Sequence, residues 1–181
     1  AGSEPVAVIF VTPPFETVPF PVVRRFPGQR MVGGDAAFPT RWFLLKGEAG
    51  YFRSRDGSID DYVLYVVQVE RQTGEWLLIG GYAGEHVTRP RAGAPFAPDR
   101  GIARSFLGSA SYAIDGARSV TVEGAVRENG DGLYARAEYS HACGAHLRVT
   151  LSGALIAGSP DDFLGQYERN SHLVAGLRYS F

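Results

Sequence analysis

The connections between the predicted strands of this chain alternate between short and long along the sequence. The tight connections cover residues 39–40, 72–74, 115–118 and 142–144. The longer ones cover residues 12–29, 53–61, 85–101, 128–132 and 158–171, with 128–132 only moderately longer than the turns. Because successive connections of an up-and-down sheet lie at opposite ends of its strands, the tight turns collect at one end. This sorting favours a membrane barrel, whose two ends differ in this way, over a soluble meander.

The segments between the connections have the two-residue period of β-strands, and none sustains the 3.6-residue period of a helix. The candidate strands cover residues 6–11, 30–38, 41–52, 62–71, 75–84, 102–114, 119–127, 133–141, 145–157 and 172–181. Many exceed the 5–6 residues usual in soluble sheets and suit a tilted bilayer crossing of about 9–11 residues. We therefore predict an all-β fold, an antiparallel up-and-down transmembrane β-barrel with about ten strands in this chain.

Apolar and polar residues alternate along these strands. In residues 145–157 the apolar series is Leu147, Val149, Leu151, Gly153 and Leu155, and the polar series is His146, Arg148, Thr150 and Ser152. Aromatic residues lie toward strand ends, as expected for rings at the two headgroup levels of a membrane. They are Phe43, Tyr51, Trp76, Tyr82, Phe106, Tyr112, Tyr139 and Tyr179.

Alternation alone does not determine which face is inside. The alternative is a soluble β-barrel or sandwich that binds an apolar ligand, and it predicts that Leu147, Val149, Leu151 and Leu155 are buried. Glycine and alanine are dispersed along the apolar face, however, and a close-packed soluble core needs larger side chains to fill its volume. This composition favours the membrane barrel.

The composition excludes several other classes of protein. The 181 residues fit one domain, residues 1–181, and the formal charge of −1 gives no reason to expect a nucleic-acid partner. The single cysteine, Cys143, excludes an internal disulfide, and no stretch approaches the roughly 20 apolar residues of a spanning helix. The chain opens without a basic and apolar leader, so we expect either that a leader has been removed or that this is the C-terminal portion of a longer barrel.

The C-terminal strand carries a specific resemblance. Leu173, Ala175, Leu177, Tyr179 and Phe181 share one face, and the sequence ends on Phe181. This ending resembles the C-terminal signature of bacterial outer-membrane proteins. The resemblance implies that Leu177, Tyr179 and Phe181 act as an assembly signal read by the barrel-assembly machinery.

Other segments extend the resemblance over most of the chain after residue 25. They are residues 26–35 (FPGQRMVGGD), 45–52 (LKGEAGYF), 62–71 (YVLYVVQVER), 74–76 (GEW) and 177–181 (LRYSF). Together they are similar to a family of proteobacterial outer-membrane β-barrels related to alginate-export porins. The resemblance implies an outer-membrane location, lipid as a partner, and porin-like passage of small polar solutes. It implies no catalytic residue and no cofactor.

The polar face of the predicted barrel carries charges of both signs. We expect these residues to line the lumen: Lys46, Glu48, Glu70, Glu123, Arg127, Arg136, Glu138, Arg148 and Arg178. The mixture of signs predicts a wet or salt-bridged lumen without a marked preference for anions or cations.

One register is predicted. Tyr139 and Leu147 must share a face, so their turn needs an odd number of residues, and residues 142–144 form such a loop with Gly144 at a left-handed position. This register sets Glu138 opposite Arg148, an ion pair that stabilises a sheet by roughly 0.2–1 kcal/mol. The glycine pairs 33–34 and 80–81 are predicted to form bends or bulges that ease barrel curvature.

Two alternatives concern chemistry at this face or in the connections. A lipid hydrolase would use His146 or His172 with Ser140, Ser152 and Glu123. Ser140 and His141 cannot form a nucleophile–base pair with each other, because adjacent residues of a strand point to opposite faces. Carboxylates of the longer connections, namely Asp56, Asp60, Asp61, Asp161 and Asp162, are candidate ligands of a divalent cation, but such residues are more often solvated turn residues. We predict no enzyme activity and no metal site.

Overall fold

The computed structural model describes residues 28–92 and 100–181, which form one antiparallel sheet. The strands lie in the sheet in the same order as in the chain, so each pairs with the next one. They are β1 (Gln29–Pro39), β2 (Leu44–Ser54), β3 (Asp61–Thr73), β4 (Trp76–Arg89), β5 (Ser105–Ala113), β6 (Arg118–Arg127), β7 (Gly132–Cys143), β8 (Leu147–Gly158) and β9 (His172–Tyr179). A short 3-10 helix, Gly165–Asn170, precedes β9. No helix in these two ranges has the length and hydropathy needed to cross a membrane.

The predicted all-β, up-and-down fold is confirmed. Nine predicted strands match β1 to β9 within a few residues, and the predicted strand 6–11 lies outside the described residues. The strands are between 8 and 14 residues long, which exceeds the length usual in soluble sheets. At one end of the sheet the connections are 40–43, 74–75, 114–117 and 144–146, and at the other end three of the four, 55–60, 90–104 and 159–171, are longer. The connection 128–131 is as short as 40–43 and 114–117, so the predicted sorting does not hold there.

The described residues do not close into a barrel. β1 and β9 are the two edges of the sheet and do not pair with each other. Because neighbouring strands are antiparallel and the sheet has nine of them, β1 and β9 run in the same direction. Both begin at the end of the long connections and finish at the end of the tight turns.

The register places the polar series of every strand on one side, the polar face, and the apolar series on the other, the apolar face. The buried side chains in the strand interiors belong to the polar face: Ala83, Ala125 and Ala154, with Ser54, Ser105 and Arg127 at the ends of their strands. Residues 100–104 and Asp162 fold over this side at the end of the long connections. The polar side is therefore partly covered at that end, the reverse of a half-buried soluble sheet.

The predicted register between β7 and β8 is wrong. Glu138 lies opposite Ser152, and Arg148 lies opposite Ala142, so the predicted ion pair does not form. The three-residue loop is 144–146, and Gly144 has a φ of +73°, in the left-handed region as predicted. Both registers keep Tyr139 and Leu147 on one face, because sliding one strand by an even number of residues preserves the alternation.

The bulges predicted at the two glycine pairs are not present. Gly33 and Gly81 lie in uninterrupted register with their neighbouring strands. Among the described strands, the one shift of register lies between Asp61 and Tyr62. A Cβ atom at Gly81 would come within 2.7 Å of the carbonyl oxygen of Val67. Glycine here permits a close approach of neighbouring strands.

Candidate functional site

The polar face holds all nine residues predicted to line a lumen. They extend from Lys46 on β2 to Arg178 on β9, and the register joins them through β3, β6, β7 and β8. The sheet thus brings together on one surface charges that are separated by more than a hundred residues in the chain.

Several of these charges are paired. Lys46 Nζ lies 2.6 Å from Glu70 on β3. Arg136 bridges two carboxylates, at 2.5 Å from Glu138 on its own strand and 3.4 Å from Glu123 on β6. These side chains are a quarter to two fifths exposed, so the pairs are in contact with solvent and each contributes at most about 1 kcal/mol.

Like charges also lie directly opposite each other on this face. Arg148 on β8 pairs in register with Arg178 on β9, and Asp35 on β1 pairs with Glu48 on β2. Directly opposed like charges destabilise a sheet. Such pairs are tolerable where water surrounds the side chains, and the four residues are exposed.

A buried ion cluster lies at the end of the long connections. Asp60, which precedes β3, accepts hydrogen bonds from the side chains of Arg91 and Arg100, and Arg91 lies 2.9 Å away. Arg100 also contacts Glu85 on β4 and lies over the ring of Tyr62, 4.0 Å from its centroid. Burial by itself raises the pKa of Asp60, but the hydrogen bonds from Arg91 and Arg100 outweigh it and hold the pKa at about 2.

A second buried pair joins the last long connection to the sheet. Arg127, at the end of β6, donates to Asp162 at 3.0 Å and to the carbonyl oxygen of Ala103. Asp162 also accepts from the backbone N–H of Leu164 at 2.9 Å, and both members of the ion pair are almost fully buried. The connection between β8 and β9 therefore packs against its own sheet through Asp162 and Leu164.

These two clusters hold residues 100–104 against the polar face. Arg100 is anchored at one side, and the carbonyl oxygen of Ala103 is bound by Arg127 at the other. Ile102 lies between two open cavities of about 310 and 300 Å³, one lined by Phe52 and Leu64 and the other by Glu123 and Tyr134, among others. Residues 100–104 thus cover part of the polar face near the end of the long connections.

The apolar face is exposed. Phe106, Leu151 and Val122 have exposed fractions of 60%, 56% and 50%. In residues 28–92 and 100–181, the charged residues of this face lie within three positions of a strand end: Arg30, Arg53, Asp61, Arg71, Arg89 and Arg118. The strand interiors between them present aliphatic, aromatic and small residues, with His86 of β4 and His141 of β7 toward the strand ends.

Two rows of aromatic rings border this face. At the end of the tight turns, the centroids of Trp76 and Tyr112 are 4.7 Å apart. Toward the other end, the ring of Tyr82 lies 6.3 Å from that of Tyr65 and 5.2 Å from that of Phe106. Six residues separate Trp76 from Tyr82 along β4, a distance of about 20 Å.

The C-terminal residues of the predicted assembly signal lie at an edge of the sheet. Leu177 and Tyr179 are exposed on the apolar face of β9, and Phe181 follows the strand. The ring of Tyr179 lies 5.9 Å from that of His146, and the N–H of Ser180 donates to the carbonyl oxygen of His146 at 2.8 Å.

The geometry does not assemble the predicted hydrolase residues. Nδ1 of His146 is 2.9 Å from the carbonyl oxygen of Ser180, and Nδ1 of His172 is 2.7 Å from that of Asn170. His172 pairs with Ala154, whereas Ser140 pairs with Thr150, which lies four residues before Ala154 on β8. No nucleophile and base are therefore adjacent among these residues.

Four of the five candidate cation ligands, all except Asp161, contact protein groups. Asp60, Asp61 and Asp162 are ion-paired with arginines, and Asp56 accepts from the N–H of Ser58 at 3.0 Å. Within the part of the chain that the structure describes, no group of three or more potential ligands forms a metal site.

Comparison with protein-family models, curated proteins and solved structures found no significant match to this chain.

Two features of the site were not predicted from the sequence. One is Asp35 on the polar face, although Asp35 follows the same alternation as Met31 and Ala37. The other is the pairing of Asp60 with Arg91 and Arg100. The one available signal was the concentration of arginines in the connection between β4 and β5.

Proposed function

We propose that this chain forms part of the wall of a bacterial outer-membrane β-barrel, with lipid against the apolar face and water against the polar face. In this proposal the barrel is a passive, porin-like channel for small hydrophilic solutes. The C-terminal strand, with Leu177, Tyr179 and Phe181, serves as its assembly signal.

One observation carries the proposal: the apolar face of the sheet is exposed, and it is free of charge between two rows of aromatic rings. In water, some twenty exposed aliphatic and aromatic side chains on one surface would cause aggregation. In a bilayer, the same surface needs no protein partner. The rows of rings are separated by about 20 Å along the strand, which for a strand tilted by roughly 35–45° is about 15 Å of the roughly 25 Å apolar band of outer-membrane barrels.

The polar face supports the same reading. Its ion pairs, Lys46 with Glu70 and Arg136 with Glu123 and Glu138, are partly solvated on the side that would face a lumen. The sorted connections agree with short periplasmic turns and longer external loops. The resemblance of residues 26–35, 45–52 and 62–71 to porin-like outer-membrane proteins points the same way.

The soluble alternative has less support. It requires that Val149, Leu151 and Leu155 be buried, and these side chains have exposed fractions of 37%, 56% and 53%. Two open cavities beside Ile102 lie on the polar face, and another open cavity, of about 660 Å³, lies against the apolar face beside Val122, Leu155 and Leu173.

Spin labels on adjacent residues of β8 test the orientation of the two faces. In a Cys143→Ser background, the full chain carries a nitroxide at Leu151→Cys or, as the matched control, at Ser152→Cys. After folding into phosphatidylcholine vesicles, we expect the label at position 151 to collide with oxygen and not with a nickel chelate. The label at position 152 should show the opposite preference.

Equal access of the nickel chelate to both positions would contradict the proposal. Protection of position 151 from both reagents, in a protein that is a folded monomer without detergent, would favour the soluble binder. Swelling of protein-containing liposomes in small sugars tests the channel separately. A further outcome is that the spin labels report a lipid-facing apolar face while sugar uptake equals that of empty liposomes. This result would indicate a structural membrane protein rather than a channel.

A further inference from the structure

Two arginines lie beside an aromatic ring on the apolar face, at the end of the long connections. On β2, Arg53 follows Tyr51 by two residues, so both lie on this face, about 7 Å apart along the strand. The pair Arg30 and Arg53 follows directly after the pair Val32 and Tyr51 in the register of β1 and β2. In the proposed orientation these arginines lie at the level where a bilayer changes from hydrocarbon to headgroups.

Two carboxylates at this end of the apolar face are bound to other arginines. Asp61, at the start of β3, lies 2.9 Å from Arg89. Glu128, which follows β6, accepts hydrogen bonds from the Tyr82 hydroxyl at 2.5 Å and from Arg104 at 2.6 Å. Each carboxylate therefore has an arginine partner outside the pair on β1 and β2.

Arg30 and Arg53 lie directly opposite each other in the register, and both are exposed. Directly opposed like charges destabilise a sheet. In strands β1 to β4, the described charged residues at this end of the apolar face are three arginines, Arg30, Arg53 and Arg89, and one carboxylate, Asp61. Positive charge is thus in excess at the point where two arginines oppose each other.

We propose that Arg30 and Arg53 together bind the phosphate group of an anionic lipid in the leaflet at the end of the long connections. This inference rests on the proposed lipid contact of the apolar face. Opposed residues of neighbouring strands have Cα atoms about 5 Å apart, so two guanidinium groups can reach one phosphate, whose oxygens match their paired N–H donors. The phosphate places negative charge between the two arginines and offsets their mutual repulsion.

The next residues toward the middle of the sheet suit the rest of the lipid. Val32 and Tyr51 are paired in register and have exposed fractions of 75% and 38%, so an acyl chain that descends from the bound headgroup would contact them. In phosphatidylcholine the phosphate is accompanied by a choline cation, which weakens its attraction to arginine. The site should therefore prefer lipids whose phosphate lacks such a counter-charge.

The selectivity of the protein for spin-labelled lipids tests the site. The full chain is folded into phosphatidylcholine vesicles that contain a trace of either phosphatidic acid or phosphatidylcholine with a nitroxide on one acyl chain. Lipids in contact with the protein give a motionally restricted component in the electron paramagnetic resonance spectrum. At low ionic strength we expect phosphatidic acid to be enriched in this component about twofold or more over phosphatidylcholine. The enrichment should fall in about 1 M sodium chloride, because salt screens exposed charges.

A matched pair of double variants assigns the enrichment to this site. Arg30→Gln combined with Arg53→Gln should remove most of the enrichment of phosphatidic acid. The control combines Arg148→Gln with Arg178→Gln, which removes the same two charges from a directly opposed pair on the polar face. The control should keep the enrichment of the unmodified protein, because these arginines do not contact lipid in the proposed orientation.

Four results would overturn the inference. Enrichment that persists in the variant of Arg30 and Arg53 places the bound phosphate elsewhere, and an equal loss in both double variants indicates attraction by net charge alone. Enrichment that does not respond to salt excludes an electrostatic site, and this measurement needs no variant. Motionally restricted lipid without enrichment contradicts the phosphate site and leaves the proposed function intact. Absence of any restricted lipid would instead contradict the lipid contact of the apolar face, and with it both proposals.

Discussion

The ring of Tyr65 lies directly over Gly84 on the neighbouring strand. The two residues are paired in register, and a Cβ atom at Gly84 would come within 2.1 Å of Cζ of the ring. The aromatic ring covers the backbone that the glycine leaves bare, a known device for stabilising glycine in sheets. This contact is on the apolar face, next to the row of rings that includes Tyr82.

Gly84→Ala should therefore destabilise the protein by about 1–3 kcal/mol, because the methyl group displaces the Tyr65 ring. Gly80→Ala is the matched control, since it lies on the same strand and face and a Cβ atom there meets nothing within 4 Å. The control should be neutral or stabilising by up to about 1 kcal/mol. Urea titration followed by tryptophan fluorescence measures both, and an equal loss in the two variants would contradict the role of the ring.

The buried pair between Arg127 and Asp162 should be much more sensitive than the solvated pair between Lys46 and Glu70. Asp162→Asn leaves the Arg127 guanidinium buried without its counter-charge, which costs roughly 3–5 kcal/mol. Glu70→Gln should cost at most about 1 kcal/mol, because the Lys46 side chain is 41% exposed. The free energy of unfolding of the two variants decides this, and a smaller loss for Asp162→Asn would contradict the assigned burial.

A charge placed on the apolar face should be costly only if that face contacts lipid. Val122→Arg should destabilise the protein by about 2–4 kcal/mol when it is folded in vesicles, because the guanidinium enters hydrocarbon. Thr121→Arg is the control, since position 121 lies on the polar face opposite Glu138 and should cost little. Urea titration of the vesicle-embedded variants gives the comparison. An equal and small effect at both positions would argue against lipid contact.

Acid should release the connection held by Asp60. Its pKa of about 2 is below the value of about 3.9 expected in the unfolded chain, so the stabilisation is complete above pH 4. It should be lost as the pH falls from about 4 to 2, when the carboxylate is protonated and the contacts with Arg91 and Arg100 weaken. Hydrogen exchange of the Arg91 amide, which donates to Asp60 Oδ1 at 2.6 Å, measures this.

Asp60→Asn serves as the control for the acid effect. The variant should show faster exchange at the Arg91 amide already at pH 7, and the rate relative to the unfolded chain should no longer change between pH 4 and 2. A variant with the same pH dependence as the unmodified protein would show that another group is responsible.

The sequence by itself determined where the strands lie, which of their residues share a face, and how the connections are sorted. Alternation with a period of two residues carries this information locally, and the match between the predicted strand 133–141 and β7 (Gly132–Cys143) illustrates it. It also determined that Lys46, Arg136 and Arg178 belong to one surface. Alternate residues of a strand lie on the same face, and the polar series of neighbouring strands lie on the same side of the sheet.

Only the tertiary structure decided the register and the long-range ion pairs. Glu138 lies opposite Ser152 rather than Arg148, because two registers that differ by an even number of residues bury the same face and the local pattern cannot separate them. Asp60 meets Arg100 across forty residues of chain, a contact that depends on how a long connection folds back and that no local period encodes. The exposed side of the sheet was decided in the same way, because alternation is identical whether Leu151 faces a core or a lipid.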